Sequence, residues 1–164
     1  MSKQSPISLS GIFPPIPTPF NAQGDIDYAR LAFNMERWNT EPLSGYVVGG
    51  SNGEFVFLTL EERVELVRRV RELAPKERLV LAGSGMESVR ETIEVTKRMA
   101  QAGADVALII TPSYYKSRMT GPALERYFCQ AADASPLPVM IYNVPANTGL
   151  DMPAQAIIGA AAHP

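Results

Sequence analysis

A single cysteine and a single histidine are all that 164 residues offer of either type, and the scarcity removes two readings at once. Cys129 has no partner for an internal disulfide, and a reducing compartment is its natural setting. His163 falls on an end expected to fray, so it makes a poor base for a thiol nucleophile. Mid-helix beside Tyr127, Phe128 and Ala131, Cys129 reads as a packed small apolar residue.

Charge of one sign is lacking as well. The 15 basic and 17 acidic residues are interspersed and sum to −2. The densest basic stretch, Arg68-Arg69 with Arg71, lies beside Glu65 and Glu72 on an expected helix, which describes a solvated face and not a nucleic-acid footprint. No apolar run is long enough to span a bilayer. Met1 to Pro6 carry neither an apolar segment nor arginine, so no secretory or mitochondrial presequence is visible. The expectation is a protein that engages neither nucleic acid nor membrane and works in the cytoplasm, a mitochondrial setting being left open.

What the chain has is core-forming material. Apolar residues make up 46%, enough to bury a real core, and no low-complexity linker divides it. A flexible tail over 1–10 followed by one domain over 11–164 is expected.

Strand and helix alternate along that domain. Ile12 to Thr18 is a first extended segment, strained by Pro14, Pro15 and Pro17. Asp27 is placed to cap a helix with Leu31, Met35 and Trp38 on one face. Gly45 to Val48 forms a short second strand. Thr59-Leu60-Glu61-Glu62 is a capping box before the stripe Val64, Val67 and Val70. Arg78 to Ala82 is the third strand, and Ser88 to Glu91 a second capping box for a helix ending at Gly103. Asp105 to Thr111 has the continuous apolar character of a strand covered on both faces. Thr120 is placed to cap the next helix, to about Ala134. Pro138 to Tyr142 is the fifth strand, and Pro153 to Ala162 a short helix with proline in its first turn.

About five βα units of this kind predict a parallel sheet with right-handed crossovers. Two closures fit: an open doubly wound sheet, which the length favours, or part of an eightfold barrel, whose full form needs roughly 250 residues.

Two loops at strand exits carry chemical groups. In Gly49-Gly50-Ser51-Asn52-Gly53-Glu54 the glycines free backbone N–H groups for a small anion, and Ser51 and Asn52 add a hydroxyl and an amide. With no lysine and no immediate helix, a carboxylate suits the loop better than a phosphate. Thr111-Pro112-Ser113-Tyr114-Tyr115-Lys116 leaves the fourth strand, and Tyr142 ends the fifth. Ser51, Tyr114 and Tyr142 at one rim would make a proton relay, with Thr18 joining from the first segment. Paired tyrosines are also common as interface packing.

The run Pro17-Thr18-Pro19-Phe20, the Gly-Ser-Asn-Gly-Glu loop, Thr111-Pro112 with its tyrosines, and Tyr142 through Gly149 come in a telling order. Over residues 9–154 the chain resembles the dihydrodipicolinate synthase and N-acetylneuraminate lyase family, most closely its 4-hydroxy-2-oxoglutarate aldolases. The resemblance implies an α/β fold, a partial TIM (β/α)8 barrel cut before its sixth strand. It also implies a class I aldolase working through a lysine imine, with no cofactor and no metal because the imine itself is the electron sink. Tyr142 would be the general acid/base, linked through Ser51 to Tyr114. Asn52 and the loop backbone at Gly50 would hold the carboxylate of a 2-oxo acid, and Thr18 would sit near the imine. Tyr115 would serve an interface or the relay. A homo-oligomer, tetramer or dimer, is the implied assembly.

Two departures matter. Dihydrodipicolinate synthases carry an arginine where this sequence has Asn147, and losing that bidentate carboxylate partner argues against lysine biosynthesis. The family's lysine nucleophile lies on the sixth strand, beyond His163-Pro164. Lys3, Lys76, Lys97 and Lys116 are not replacements, since a Schiff-base lysine needs desolvation. The 164 residues alone are therefore expected to be inactive. The rival accounts are a 2-keto-3-deoxy sugar-acid aldolase, a dihydrodipicolinate synthase-like lyase, and a truncated, non-catalytic isoform that binds full-length subunits.

Overall fold

Prolines decide how the chain enters its sheet. In the computed structural model, which describes residues 7–164, the segment expected as a first strand is not one. It makes a single parallel bridge, Pro15 to Val47. Ile16 N–H donates to the Val47 carbonyl at 3.0 Å and Val47 N–H to the Pro14 carbonyl at 2.9 Å. With Pro14, Pro15 and Pro17 lacking N–H groups, no longer ladder can form, so the segment lies as an edge. Residues 1–6 of the expected tail, with Lys3, fall outside the described residues.

The other four expected strands form: β1 Gly45–Val48, β2 Leu79–Gly83, β3 Val106–Ile110 and β4 Val139–Tyr142. All pair in parallel in the order β1-β2-β3-β4. That progression separates the two closures. A doubly wound sheet reverses its strand order at a switch point, whereas here each unit adds on the same side of the last, as in a barrel wall.

Register sorts the strand residues onto two faces. Tyr46 pairs with Val80, Val48 with Ala82, Ala107 with Val139 and Ile109 with Ile141. All eight pack into the helix-side core clusters. The alternate residues, Val47, Leu81, Gly83, Leu108, Ile110, Met140 and Tyr142, take the concave face, as a period of two requires. Tyr142 therefore faces inward.

Among the described residues, six α-helices form: α1 Tyr28–Trp38, α2 Leu60–Leu73, α3 Val89–Gln101, α4 Gly121–Ala134, α5 Pro145–Thr148 and α6 Ala154–Ala161. Asp27 caps α1 by accepting from Arg30 N–H, and Thr59 with Glu62 makes a reciprocal capping box on α2. Ser88 accepts from Glu91 N–H. Thr120 stands at the cap of α4 without making a cap bond; Pro122, in the first turn, has no N–H to offer. Pro153 stands at the N-cap position of α6, just outside the helix and not in its first turn, its carbonyl accepting the N–H groups of Ala156 and Ile157.

Two local expectations change. Arg71 is not a solvated charge: its guanidinium donates to the carbonyls of Ala74, Pro75 and Arg78 and to Asp105. It closes the turn after α2, and Gly103 (φ +97°) leaves room for its stem, since a Cβ there would fall 2.5 Å from Arg71 Cγ. His163, expected on a fraying end, has a side-chain partner. Its Nε2 stands 2.9 Å from Asp133 Oδ1, tying the segment after α6 to α4. Cys129, on α4, is half-buried.

Candidate active site

Two glycines let the chain leave β1 sharply. Gly49 takes φ +67°, a left-handed conformation that side chains resist, and Gly50 continues extended. Ser51–Gly53 then form one 3₁₀ turn, closed by Gly53 N–H to the Gly50 carbonyl at 3.0 Å and Glu54 N–H to the Ser51 carbonyl at 3.1 Å. The N–H groups of Ser51 and Asn52 open that turn and have no backbone acceptor within it. Thr18, 4% exposed, donates its hydroxyl to the Gly53 carbonyl at 2.7 Å. It tethers the loop to the proline-rich edge segment.

The second half comes from β4. Tyr142 brings its hydroxyl within 3.3 Å of Ser51 Oγ. Either oxygen can donate, so a proton can pass in either direction. Beyond Tyr142, Asn143 donates to Asp151 at 2.7 Å and accepts Met152 N–H at 3.1 Å. Those bonds fold back α5 and place Asn147 and Thr148 on the rim. A cavity of about 530 Å³ opens there, lined by Ser51, Arg63, Glu87, Thr111, Ser113 and Asn147 among others.

The structure thus gathers Ser51, Tyr142, Gly50, Asn52 and Thr18 at one end of the sheet. Asn52 is exposed, and its amide makes no hydrogen bond among the described residues. Tyr114 and Tyr115 stand apart. They are 76% and 68% exposed, pack edge to face with ring centroids 4.9 Å apart, and neither hydroxyl is hydrogen-bonded among the described residues. Lys76, Lys97 and Lys116 are all exposed, so none has the desolvation an imine-forming amine needs.

Sequence reading missed Arg63, and the signal was available. Arg63, Leu66, Val67 and Val70 are buried at the i, i+3, i+4, i+7 spacing of an α2 core stripe. Arg63 is 5% exposed and has no carboxylate partner among the described residues. Its Nη2 donates to the carbonyls of Gly83 at 2.8 Å and Gly85 at 3.3 Å, Nη1 reaches Met86 Sδ at 2.9 Å, and the Phe55 ring lies 5.1 Å from its guanidinium carbon. Burial lowers its pKa to about 10. Among the described residues, Arg63 Nε and Thr111 Oγ1 are buried without hydrogen-bond partners. Tyr127 was seen only as packing. Its hydroxyl stands 2.6 Å from Thr92 Oγ1 and donates to the Met86 carbonyl at 2.8 Å, and burial pushes its pKa up to about 12.

Residues 8–162 match the dihydrodipicolinate synthetase family. The chain belongs to that family. Among relatives, it is 38% identical over 95% of its length to a probable mitochondrial 4-hydroxy-2-oxoglutarate aldolase of Emericella nidulans, covering 52% of that protein. It is 39% identical over 93% of its length to an L-threo-3-deoxy-hexylosonate aldolase of Hypocrea jecorina, covering 50% of it. Its fold superposes with a TM-score of 0.90 on the dihydrodipicolinate synthase of Acinetobacter baumannii solved with pyruvate, at 32% identity, covering 96% of this chain and 53% of the other. The chain spans about half the length of the curated relatives it matches. Its four-stranded wall is thus part of the TIM barrel of a dihydrodipicolinate synthetase family member.

Proposed function

We propose that the whole protein carrying this chain is a class I aldolase that cleaves 4-hydroxy-2-oxoglutarate to pyruvate and glyoxylate. The observation that carries the reading is the Ser51–Tyr142 hydroxyl pair, 3.3 Å apart beside a loop whose Ser51 and Asn52 N–H groups have no hydrogen-bond partner among the described residues. A lysine amine, contributed by the sixth strand the family resemblance implies, condenses with the substrate ketone and releases water. Tyr142, as general base, takes the C4 hydroxyl proton. The C3–C4 bond then breaks, its electron pair moving into the imine to give an enamine and glyoxylate. Protonation of the enamine carbon and hydrolysis release pyruvate and the free lysine. Ser51 relays protons between Tyr142 and the rim. Asn52 and the N–H groups of Ser51 and Asn52 take the substrate's C1 carboxylate.

Within this reading the exposed Tyr114–Tyr115 pair meets a second copy of the chain, where burial would repay the exposed rings and give their hydroxyls partners. The second copy's tyrosine then completes the relay that Ser51 and Tyr142 begin. Asn147 in place of an arginine, together with the relative named for 4-hydroxy-2-oxoglutarate, favours that substrate over the condensation with a second amino-acid-like carbonyl. The relative named for a 3-deoxy-hexylosonate supports a sugar-acid substrate as the second reading.

Borohydride trapping with pyruvate, read by mass spectrometry, tests the chemistry. The whole protein is expected to gain a pyruvyl adduct on a lysine outside these residues, and the isolated 164 residues to gain none. An adduct on Lys76, Lys97 or Lys116 would overturn the assignment. Turnover of 4-hydroxy-2-oxoglutarate against 2-keto-3-deoxy sugar acids separates the two substrates.

A further inference from the structure

The loop after β2 is held from three sides. Arg63 on α2 grips the carbonyls of Gly83 and Gly85 and the thioether of Met86. Thr92 on α3 accepts Met86 N–H at 3.0 Å, and Tyr127 on α4 donates to the Met86 carbonyl at 2.8 Å. The next residue, Glu87, therefore projects from a fixed base.

Glu87 spends its carboxylate on another loop. Its Oε1 accepts Ser113 N–H at 3.2 Å, and its Oε2 accepts the N–H groups of Ser113 and Tyr114 at 3.0 Å each. Among the described residues, no other side chain hydrogen-bonds to residues 111–115. Within a single chain the rings of Tyr114 and Tyr115 add nothing to the anchoring, being largely in solvent. Charge-assisted bonds to adjacent backbone donors are strong and directional. Glu87 and Ser113 also line the same cavity as Ser51.

We infer that Glu87 is the positioning residue of the tyrosine loop: its carboxylate, fixed through Met86 by Arg63, Thr92 and Tyr127, sets where Tyr114 and Tyr115 stand. Its consequence for catalysis rests on the aldolase reading above, in which one of those tyrosines completes the proton relay. Glu87 touches no reacting atom. It works by holding the backbone from which both tyrosines project, which affects the chemical step more than substrate affinity.

The test uses the whole protein with Glu87→Ala and Glu87→Gln, read by hydrogen–deuterium exchange and by steady-state kinetics. In Glu87→Ala the Ser113 and Tyr114 amides should exchange at least about tenfold faster, with the rest of the chain unchanged. The kcat for the 2-oxo acid should fall about tenfold while KM moves less than about twofold. Glutamine keeps one acceptor oxygen, so Glu87→Gln should bring both readouts back to within about threefold of the parent protein. Unchanged exchange in Glu87→Ala overturns the inference, as does faster exchange with kcat unmoved, or loosening spread over the whole chain. A parent protein without aldolase turnover sinks the proposed function instead, and the exchange measurement still decides whether Glu87 holds the loop.

Discussion

Ser51 and Tyr142 bring their hydroxyls to 3.3 Å although β2 and β3 lie between the strands that carry them. In a flat sheet, strands three steps apart are separated by about 14 Å. The contact therefore requires a curved wall and a loop that folds inward over it. Gly49 and Thr18 supply the loop's direction, the first by its left-handed backbone and the second by its tether to Gly53.

The pair predicts a graded loss of function. Tyr142→Phe removes the acid/base group and should lower kcat about 10²- to 10⁴-fold, whereas Ser51→Ala, which leaves the phenol in place, should cost about tenfold. Both are measured as turnover of the 2-oxo acid by the whole protein. Tyr142→Phe within threefold of the parent would remove Tyr142 from the chemistry.

Arg63 predicts a stability effect with a specific chemical signature. Arg63→Ala opens space beside α2 and strips the Gly83 and Gly85 carbonyls of their donor, for an expected loss of about 2–4 kcal/mol in denaturant unfolding. Arg63→Lys should recover little of it, because one ammonium cannot stand where Nη2 meets the two carbonyls and also reach Met86 Sδ as Nη1 does and lie over Phe55 as the planar guanidinium does.

Gly83 and Gly24 form a contrasting pair. A Cβ at Gly83 would stand 2.1 Å from the Gly49 carbonyl oxygen, while at Gly24 (φ +90°) nothing lies within 4 Å. Gly83→Ala must push apart the exits of β1 and β2 and should cost about 3 kcal/mol or more, with visible loss of soluble protein. Gly24→Ala bears only backbone strain, about 1–2 kcal/mol. Thermal melts of the two variants check the order.

Tyr127 predicts a weakness in alkali. Its ordinary pKa of 10.0 is raised to about 12, chiefly by burial. The unfolded chain therefore loses the phenolic proton first. Tyr127 contributes its full stabilisation below pH 10, and that contribution declines as pH rises toward the folded value of about 12. The slope in that window should be about 1.4 kcal/mol per pH unit. Comparing unfolding free energies of the parent and Tyr127→Phe across pH 9 to 12 isolates it: the variant's curve should be the flatter one.

Legibility in the sequence followed the range of the forces involved. The caps at Asp27 and Thr59 were readable because a side-chain oxygen and an N–H three residues on form a nearly closed local unit. Thr120 has the same sequence look and makes no such bond. The segment from Ile12 to Thr18 was extended as expected, yet its prolines held it to one bridge. Arg71 resembled its solvated neighbours in every local respect. Only the fold brought Asp105 and the Arg78 carbonyl within its reach, beside the nearby carbonyls of Ala74 and Pro75. The motif loops could be named from their residues, but Tyr114's separation from the Ser51–Tyr142 pair could not.

By itself the sequence determined the succession of β1 to β4 with α1 to α4 and α6, the place of Tyr142 at the end of a strand, and the glycines that let the Ser51 loop turn. Those depend on backbone sterics and on neighbours a few residues away. Tertiary structure alone decided the unreversed strand order, the meeting of hydroxyls 91 residues apart, the burial of Arg63 without a counter-ion, and the grip of Glu87 on the tyrosine loop. Each of these depends on how far the sheet curves and on which side every crossover returns, quantities summed over the whole wall and written in no single stretch of it.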